Sequence, residues 1–169
     1  MRFRVEFINI SMKPIFLLLF NTLTLIIALV LNGLGGSGQL NGTNVGEVSN
    51  QLSTLITPAS YAFSIWGFIY LQLLSFVAYQ WYAWHKGRNE ESLLPAGIWF
   101  GISNLANAAW IVAWIYQYIG LSVLIMFVLL ASLIVLVHRL KLEVWDAPLR
   151  IIAFVWWPIC IYTGWIVVA

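Results

Sequence analysis

The sequence predicts an all-α integral membrane protein, a bundle of five transmembrane helices. Three observations carry that prediction. Of the 169 residues, 62% are hydrophobic and 8% are charged. An ordinary soluble domain is about 25% charged, so lipid is the natural solvent for this chain. Five stretches run for about 17–25 mostly apolar residues, the length a bilayer core demands. Apart from Arg150 at the very start of the last one, none contains Asp, Glu, Lys or Arg. The runs are continuous rather than alternating, which selects helices over a β-barrel, because backbone groups in hydrocarbon must bond internally.

In chain order, residues 1–14 read as a cytoplasmic amino-terminal segment and residues 15–169 as a five-helix transmembrane domain. The helices are expected over 15–31, 60–84, 96–118, 121–137 and 149–169. Pro14, Pro58, Pro95 and Pro148 each stand just ahead of an apolar run, where the missing proline N–H has no partner to lose. The first run has a rival reading as a cleaved signal peptide. It is longer than a usual signal core, and no A-x-A-like site follows it. The connection 32–57 holds six of the twelve glycines and is expected as an outside loop. Gly120 separates the third and fourth runs by so little chain that they should form an antiparallel hairpin. Pro158 lies inside the fifth run and should kink it, freeing a carbonyl for Thr163 or a neighbouring helix. That run closes on Ala169 with no polar flank, so the chain is expected to be a fragment of a longer one.

The basic residues set the orientation. Arg2, Arg4 and Lys13 precede the first run, Lys86 and Arg88 follow the second, and Arg139, Lys141 and Arg150 separate the fourth from the fifth. The other two connections have no Lys or Arg. Positively charged loops stay inside, so the amino terminus is expected in the cytoplasm and the glycine-rich loop outside. The net charge of +2 gives no reason to expect a nucleic-acid partner.

Several chemistries have no residues to run on. No ionisable group lies mid-membrane, where a proton-coupled pump or voltage sensor would need one. His85 and His138 sit at helix ends beside Lys86 and Arg139. No Asp, Glu, His and Cys group has metal-ligand spacing, and Cys160 is alone. No enzyme, metal or required cofactor is therefore expected.

Aromatic and amide side chains are plentiful instead. Phe63, Trp66, Tyr70, Val77 and Trp81 fall roughly on one face of the second helix. Asn104, Asn107, Trp110 and Trp114 share a face of the third, and Trp157, Tyr162 and Trp165 are candidates on the fifth. Such a stripe turned into a bundle makes a flat-walled slot for a planar or sterol-like ligand. Trp81, Trp84, Trp99 and Trp145 lie near helix ends and read as interfacial belt residues. Asn104 and Asn107 could equally serve only as glue between helices. Val77-x4-Tyr82-x3-Lys86 fits a proposed sterol-contact pattern.

These residues suggest a family. Pro58-x4-Phe63-x2-Trp66-x3-Tyr70 resembles the motif opening the second helix of the TspO/translocator-protein family, the tryptophan-rich sensory proteins. Asn107-x2-Trp110 resembles that family's Asn-x-x-Trp, and Gly164-Trp165-Ile166-Val167-Val168-Ala169 is similar to its fifth-helix pattern. The resemblance covers about Ile56 to Ala169. It departs at Pro58-Ala59, where the family pairs prolines, at Tyr61, commonly a Trp, and at Pro158-Ile159, commonly Pro-Tyr. The chain therefore looks like a divergent branch. The resemblance implies a five-span bundle, often dimeric, in a bacterial cell membrane. It also implies a pocket for porphyrins (a tetrapyrrole ligand) or sterols, capped by the first loop. By carry-over, Trp66, Tyr70, Asn107, Trp110 and Trp165 would line the pocket, and with Tyr61 and Phe63 they are the expected ligand-binding residues.

A receptor, sensor or carrier for a planar hydrophobic ligand is therefore the leading expectation. The alternatives are a passive or coupled small-molecule transporter and a structural membrane subunit without ligand. Degradation of a bound porphyrin by light or oxidation is a lesser one. The expected partners are the lipid bilayer, a hydrophobic small molecule and a second copy of the chain.

Overall fold

The computed structural model describes residues 14–52 and 60–168. Within them the chain is helical and contains no strand. The helices are α1 (Pro14–Gly36), α2 (Val45–Gln51), α3 (Ile65–His85, led in by a 3-10 turn at Ser60–Ser64), α4 (Leu93–Ala96), α5 (Trp99–Ile115), α6 (Ile119–Arg139) and α7 (Leu149–Val168). Arg2, Arg4, Lys13 and Pro58 lie outside the described residues, as does Ala169.

Four helices are long and apolar enough to cross a membrane: α1, α3 with its lead-in turn, α6 and α7. The fifth apolar segment forms α5, which has 17 residues. At about 1.5 Å per residue it falls short of a ~30 Å hydrocarbon core. Its ends are cut by local geometry. Gly97 (φ 55°) breaks the chain before Trp99, and Gln117 (φ 59°) breaks it after Ile115. Pro95, expected at this helix's start, instead lies within α4. Burial explains how a short helix fits. Eleven of its 17 residues are buried, and its main packing partners are α1 and α6. A helix enclosed by protein does not have to match the lipid thickness.

The outer helices turn their polar residues inward. α1 buries Asn21, Thr24, Leu25 and Ala28 and exposes Phe16, Leu19, Leu23 and Ile26. α6 buries Ser122 and Ser132 and exposes Leu121, Leu124, Phe127 and Val128. Both serines donate to carbonyls of their own helix, at 2.8 and 2.7 Å. This is the reverse of a water-soluble helix and suits a lipid surround. α1 and α5 approach closely at Gly101, where a β-carbon would run into the Phe20 ring.

α7 opens with a π-helical stretch at Ile152–Trp156, where the Trp157 N–H bonds to the Ile152 carbonyl. Pro158 follows directly. Having no N–H, it could not have continued the α-helical ladder, and the wider turn takes up the mismatch. Thr163 Oγ1 donates to the Ile159 carbonyl at 2.7 Å.

The two ends of the bundle differ. The basic end carries Lys86 and Arg88 just after α3, Arg139 at the end of α6, Lys141 beyond it and Arg150 at the start of α7. There Tyr79 donates to Glu91, Arg150 pairs with Glu91 at 3.1 Å, and Arg139 Nε donates to the Pro95 carbonyl at 2.7 Å. Partial burial would raise the Glu91 carboxyl. The hydrogen bonds from Tyr79 and Arg150, with the charges of Arg150 and Arg88, outweigh it and hold Glu91 below the usual glutamate range. The opposite end is covered by α2. Its start is fixed by a capping box: Asn44 accepts from the Glu47 N–H and Glu47 accepts from the Asn44 N–H, both at 3.0 Å. The segment expected as an open loop from residue 32 therefore holds the last turn of α1 and this short helix. Val45 and Val48 press into the core.

Candidate functional site

Under α2 lies a cleft of about 250 Å³. Phe63, Trp66 and Tyr70 wall it from the α3 side, Trp110 and Ile111 from α5, Asn32 and Gly36 from α1, and Asn44, Val45 and Gly46 from the lid. Trp66 is the hub. Its ring stacks on Tyr70, with centroids 5.5 Å apart and planes at 22°, and tilts against Trp110 at 5.9 Å. From α7, Tyr162 and Trp165 meet it edge-on at 6.0 and 6.3 Å. Trp114 stacks behind Trp110 at 5.9 Å and donates from Nε1 to the Val45 carbonyl at 3.3 Å, fastening the lid to the cleft wall. Offset and edge-to-face geometries of this kind are the favoured ones for aromatic pairs.

The polar centre beside this cluster is Asn107, which is 1% exposed. Its Oδ1 accepts from Asn32 Nδ2 at 2.6 Å and from the Tyr70 hydroxyl at 3.4 Å. Its Nδ2 and Trp165 Nε1 make no hydrogen bond of normal geometry; nor does the Tyr162 hydroxyl, which nonetheless lies close enough to the Asn107 amide to interact with it. Each unsatisfied buried polar group costs about 1–3 kcal/mol, and these three lie behind the residues that line the cleft, next to the aromatic cluster. All three can donate, which suits an acceptor such as a carbonyl or ether oxygen. No Asp, Glu, Lys, Arg or His lines the cleft, and among the described residues no acid, His or Cys group could hold a metal ion.

Six of the seven expected ligand-binding residues come together here: Phe63, Trp66, Tyr70 and Trp110 on the cleft wall, Asn107 bonded to Tyr70, and Trp165 against Trp66. Tyr61 does not. It is 82% exposed, because it lies in the 3-10 turn ahead of α3, where the α-helical face no longer holds. The other residues expected on the α3 face also part from the site. Val77 is buried in the core, while Trp81 is exposed at the basic end and donates to Thr22 Oγ1 at 3.0 Å. With Val77 buried and Tyr82 and Lys86 exposed, the sterol-contact pattern has no common open face. Trp157 is exposed on the outside of α7. Sequence reasoning missed Asn32 and the lid residues. Asn32 is visible in retrospect as the amide that closes the apolar run of α1, and the lid as Asn44-x-x-Glu47.

A family model described as TSPO-like protein matches residues 16–169. No curated protein and no solved structure matches the chain.

Proposed function

Because the chain belongs to the TSPO-like protein family and is a multi-pass membrane protein of the sensor and binding kind, we propose that it binds a planar hydrophobic molecule, a porphyrin or a sterol, in the cleft beneath α2. The observation that carries this reading is the Trp66 hub with three incompletely bonded polar atoms beside it. Flat aromatic walls reward a flat ligand by stacking, and the donors orient it through an acceptor oxygen. The proposed role is binding, which fits a cleft lined by no Asp, Glu, Lys, Arg or His. The proposed topology is five spans, with α5 as the enclosed one and the amino terminus in the cytoplasm of a bacterial cell. The lid then lies outside.

The cleft's 250 Å³ is just under the ~300–1,000 Å³ of typical ligand pockets. A full tetrapyrrole therefore requires α2 to swing away. The lid's polar ties are single hydrogen bonds, Trp114 to Val45, Tyr116 to the Leu40 carbonyl, Asn41 to the Ile115 carbonyl and Gln117 to Gln51, and opening would also draw Val45 and Val48 out of the core. The test is a protoporphyrin titration of the purified protein read by tryptophan fluorescence. Saturable quenching is expected, with affinity weakened about tenfold in Trp66→Phe and less in Trp165→Phe. If both variants bind as the parent does, the cleft is not the site.

A further inference from the structure

Two amides line the cleft under α2, Asn32 from α1 and Asn44 from the lid, and backbone atoms fix which end of each is free. Asn32 Nδ2 donates to the Ala28 carbonyl one turn back at 2.8 Å and to Asn107 Oδ1 at 2.6 Å. A carbonyl only accepts, so the group facing Ala28 is the NH2, and both its hydrogens are committed. Asn32 Oδ1 has no partner among the described residues. Asn44 is the reverse. Its Oδ1 accepts the Glu47 N–H at 3.0 Å in the capping box, and a backbone N–H only donates. The Asn44 NH2 is therefore the free end, again without a partner among the described residues. The cleft thus offers an acceptor from the bundle and a donor from the lid.

We propose that the cleft selects planar hydrophobic molecules bearing a neutral hydroxyl, which donates to Asn32 Oδ1 and accepts from Asn44 Nδ2, so that the ligand itself ties the lid to the bundle. This rests on the ligand cleft proposed above and names the group that the cleft reads. A hydroxyl is both donor and acceptor, the complement of this pair. An ether or carbonyl oxygen satisfies Asn44 alone and leaves the Asn32 oxygen covered and unbonded, which is costly for a buried polar group. An ionised carboxylate only accepts, and it meets no Lys, Arg or His on the cleft wall. The propionates of a porphyrin would have to remain outside. A site built to hydrogen-bond a hydroxyl rejects the analogue that lacks it.

The experiment titrates the full chain in phosphatidylcholine vesicles with pyrene, 1-methoxypyrene and 1-hydroxypyrene at neutral pH, where all three are uncharged. Energy transfer from tryptophan to the pyrene ring reports binding, and uptake by protein-free vesicles corrects for partition. The three share one stacking surface and differ in accepting and donating. The parent is expected to bind 1-hydroxypyrene about three- to tenfold more tightly than 1-methoxypyrene, and that about threefold more tightly than pyrene. Asn32→Leu, which leaves Asn107 Oδ1 its bond from Tyr70, should erase the first preference. Asn44→Asp, which keeps the helix cap, should erase the second. If Asn32→Leu does not fold, Asn32→Ala adds no bulk and is read in the same way. Equal affinities for the three probes in the parent overturn the inference and leave the aromatic cleft standing. Preferences undiminished in the Asn32 and Asn44 variants overturn it too, because other groups then read the hydroxyl. Saturable transfer to none of the three overturns the cleft reading as well.

Discussion

At the basic end, Glu91 takes hydrogen bonds from Tyr79 and Arg150, and Arg139 reaches the Pro95 carbonyl. At the lid end, Asn107, Tyr162 and Trp165 surround one tryptophan and each keeps a polar atom outside any hydrogen bond of normal geometry. The first arrangement joins α3, the 89–96 connection, α6 and α7 through groups that complete one another. The second leaves buried groups incompletely bonded behind the cleft wall. The same bundle thus separates the end that fastens it from the end where ligand binding is proposed. The separation is not absolute, because Asn89 Oδ1, Ser92 Oγ and Trp156 Nε1 are also buried without a partner. In the basic half Asn21 Nδ2 donates to Gln80 Oε1 at 3.3 Å, but Asn21 Oδ1 and Gln80 Nε2 remain unpartnered.

The largest effect is expected at the hub. Trp66→Ala should lower stability by about 3–5 kcal/mol in thermal unfolding and abolish measurable porphyrin binding. Retained binding would break the comparison, since the lid end would then owe nothing to its aromatic centre. The Asn21–Gln80 pair comes next. Asn21→Leu alone strands the Gln80 amide and should cost about 1–3 kcal/mol. Adding Gln80→Leu should recover most of that cost, because no buried polar group is then left over. Additive losses in a double-mutant cycle would mean the pair is worth more than its half-satisfied geometry indicates. The smallest effect belongs to Glu91→Gln, about 0–1 kcal/mol, because the carboxylate is partly exposed and its pairing is screened. Porphyrin affinity should not change.

The pH dependence of that last contact follows from its sign. The folded protein holds Glu91 below the usual glutamate value, so its contribution is complete above that usual value. It is lost as pH falls through the lowered folded one. Unfolding midpoints measured down the acid limb should show the parent losing its advantage over Glu91→Gln in that window. A constant difference would assign the effect to packing.

Much of this architecture could be read before any coordinates, and the reasons are physical. Long apolar runs admit one backbone solution in lipid, so helical segments declare themselves. Residues three and four apart on a regular helix stay together, which is why Trp66 and Tyr70, or Asn107 and Trp110, meet at one place. Reading failed where the backbone leaves the regular period. Tyr61 sits in a 3-10 turn, and left-handed residues at Gly97 and Gln117 trimmed the third segment to 17 residues. The lid helix was missed because α2 is seven residues long and lies in a glycine-rich stretch. Its only local sign is Asn44-x-x-Glu47, a weaker signal than hydrophobic periodicity. No pattern along one segment could show which tryptophan would be central, since that depends on α3, α5 and α7 together.

The wide turn ahead of Pro158 has a consequence for how this chain can vary. A helix has a reading frame: one residue added or removed rotates everything beyond it by about 100°. The π-helical stretch at Ile152–Trp156 acts as one residue inserted into that frame, and Tyr162 and Trp165 lie downstream of it. Deleting a single residue there would straighten the ladder and swing both aromatic rings off Trp66, while the apolar length of the span barely changed. A homologue could keep every tryptophan of the site and still lose it through a one-residue gap at this point, a change invisible to composition and hydropathy alike.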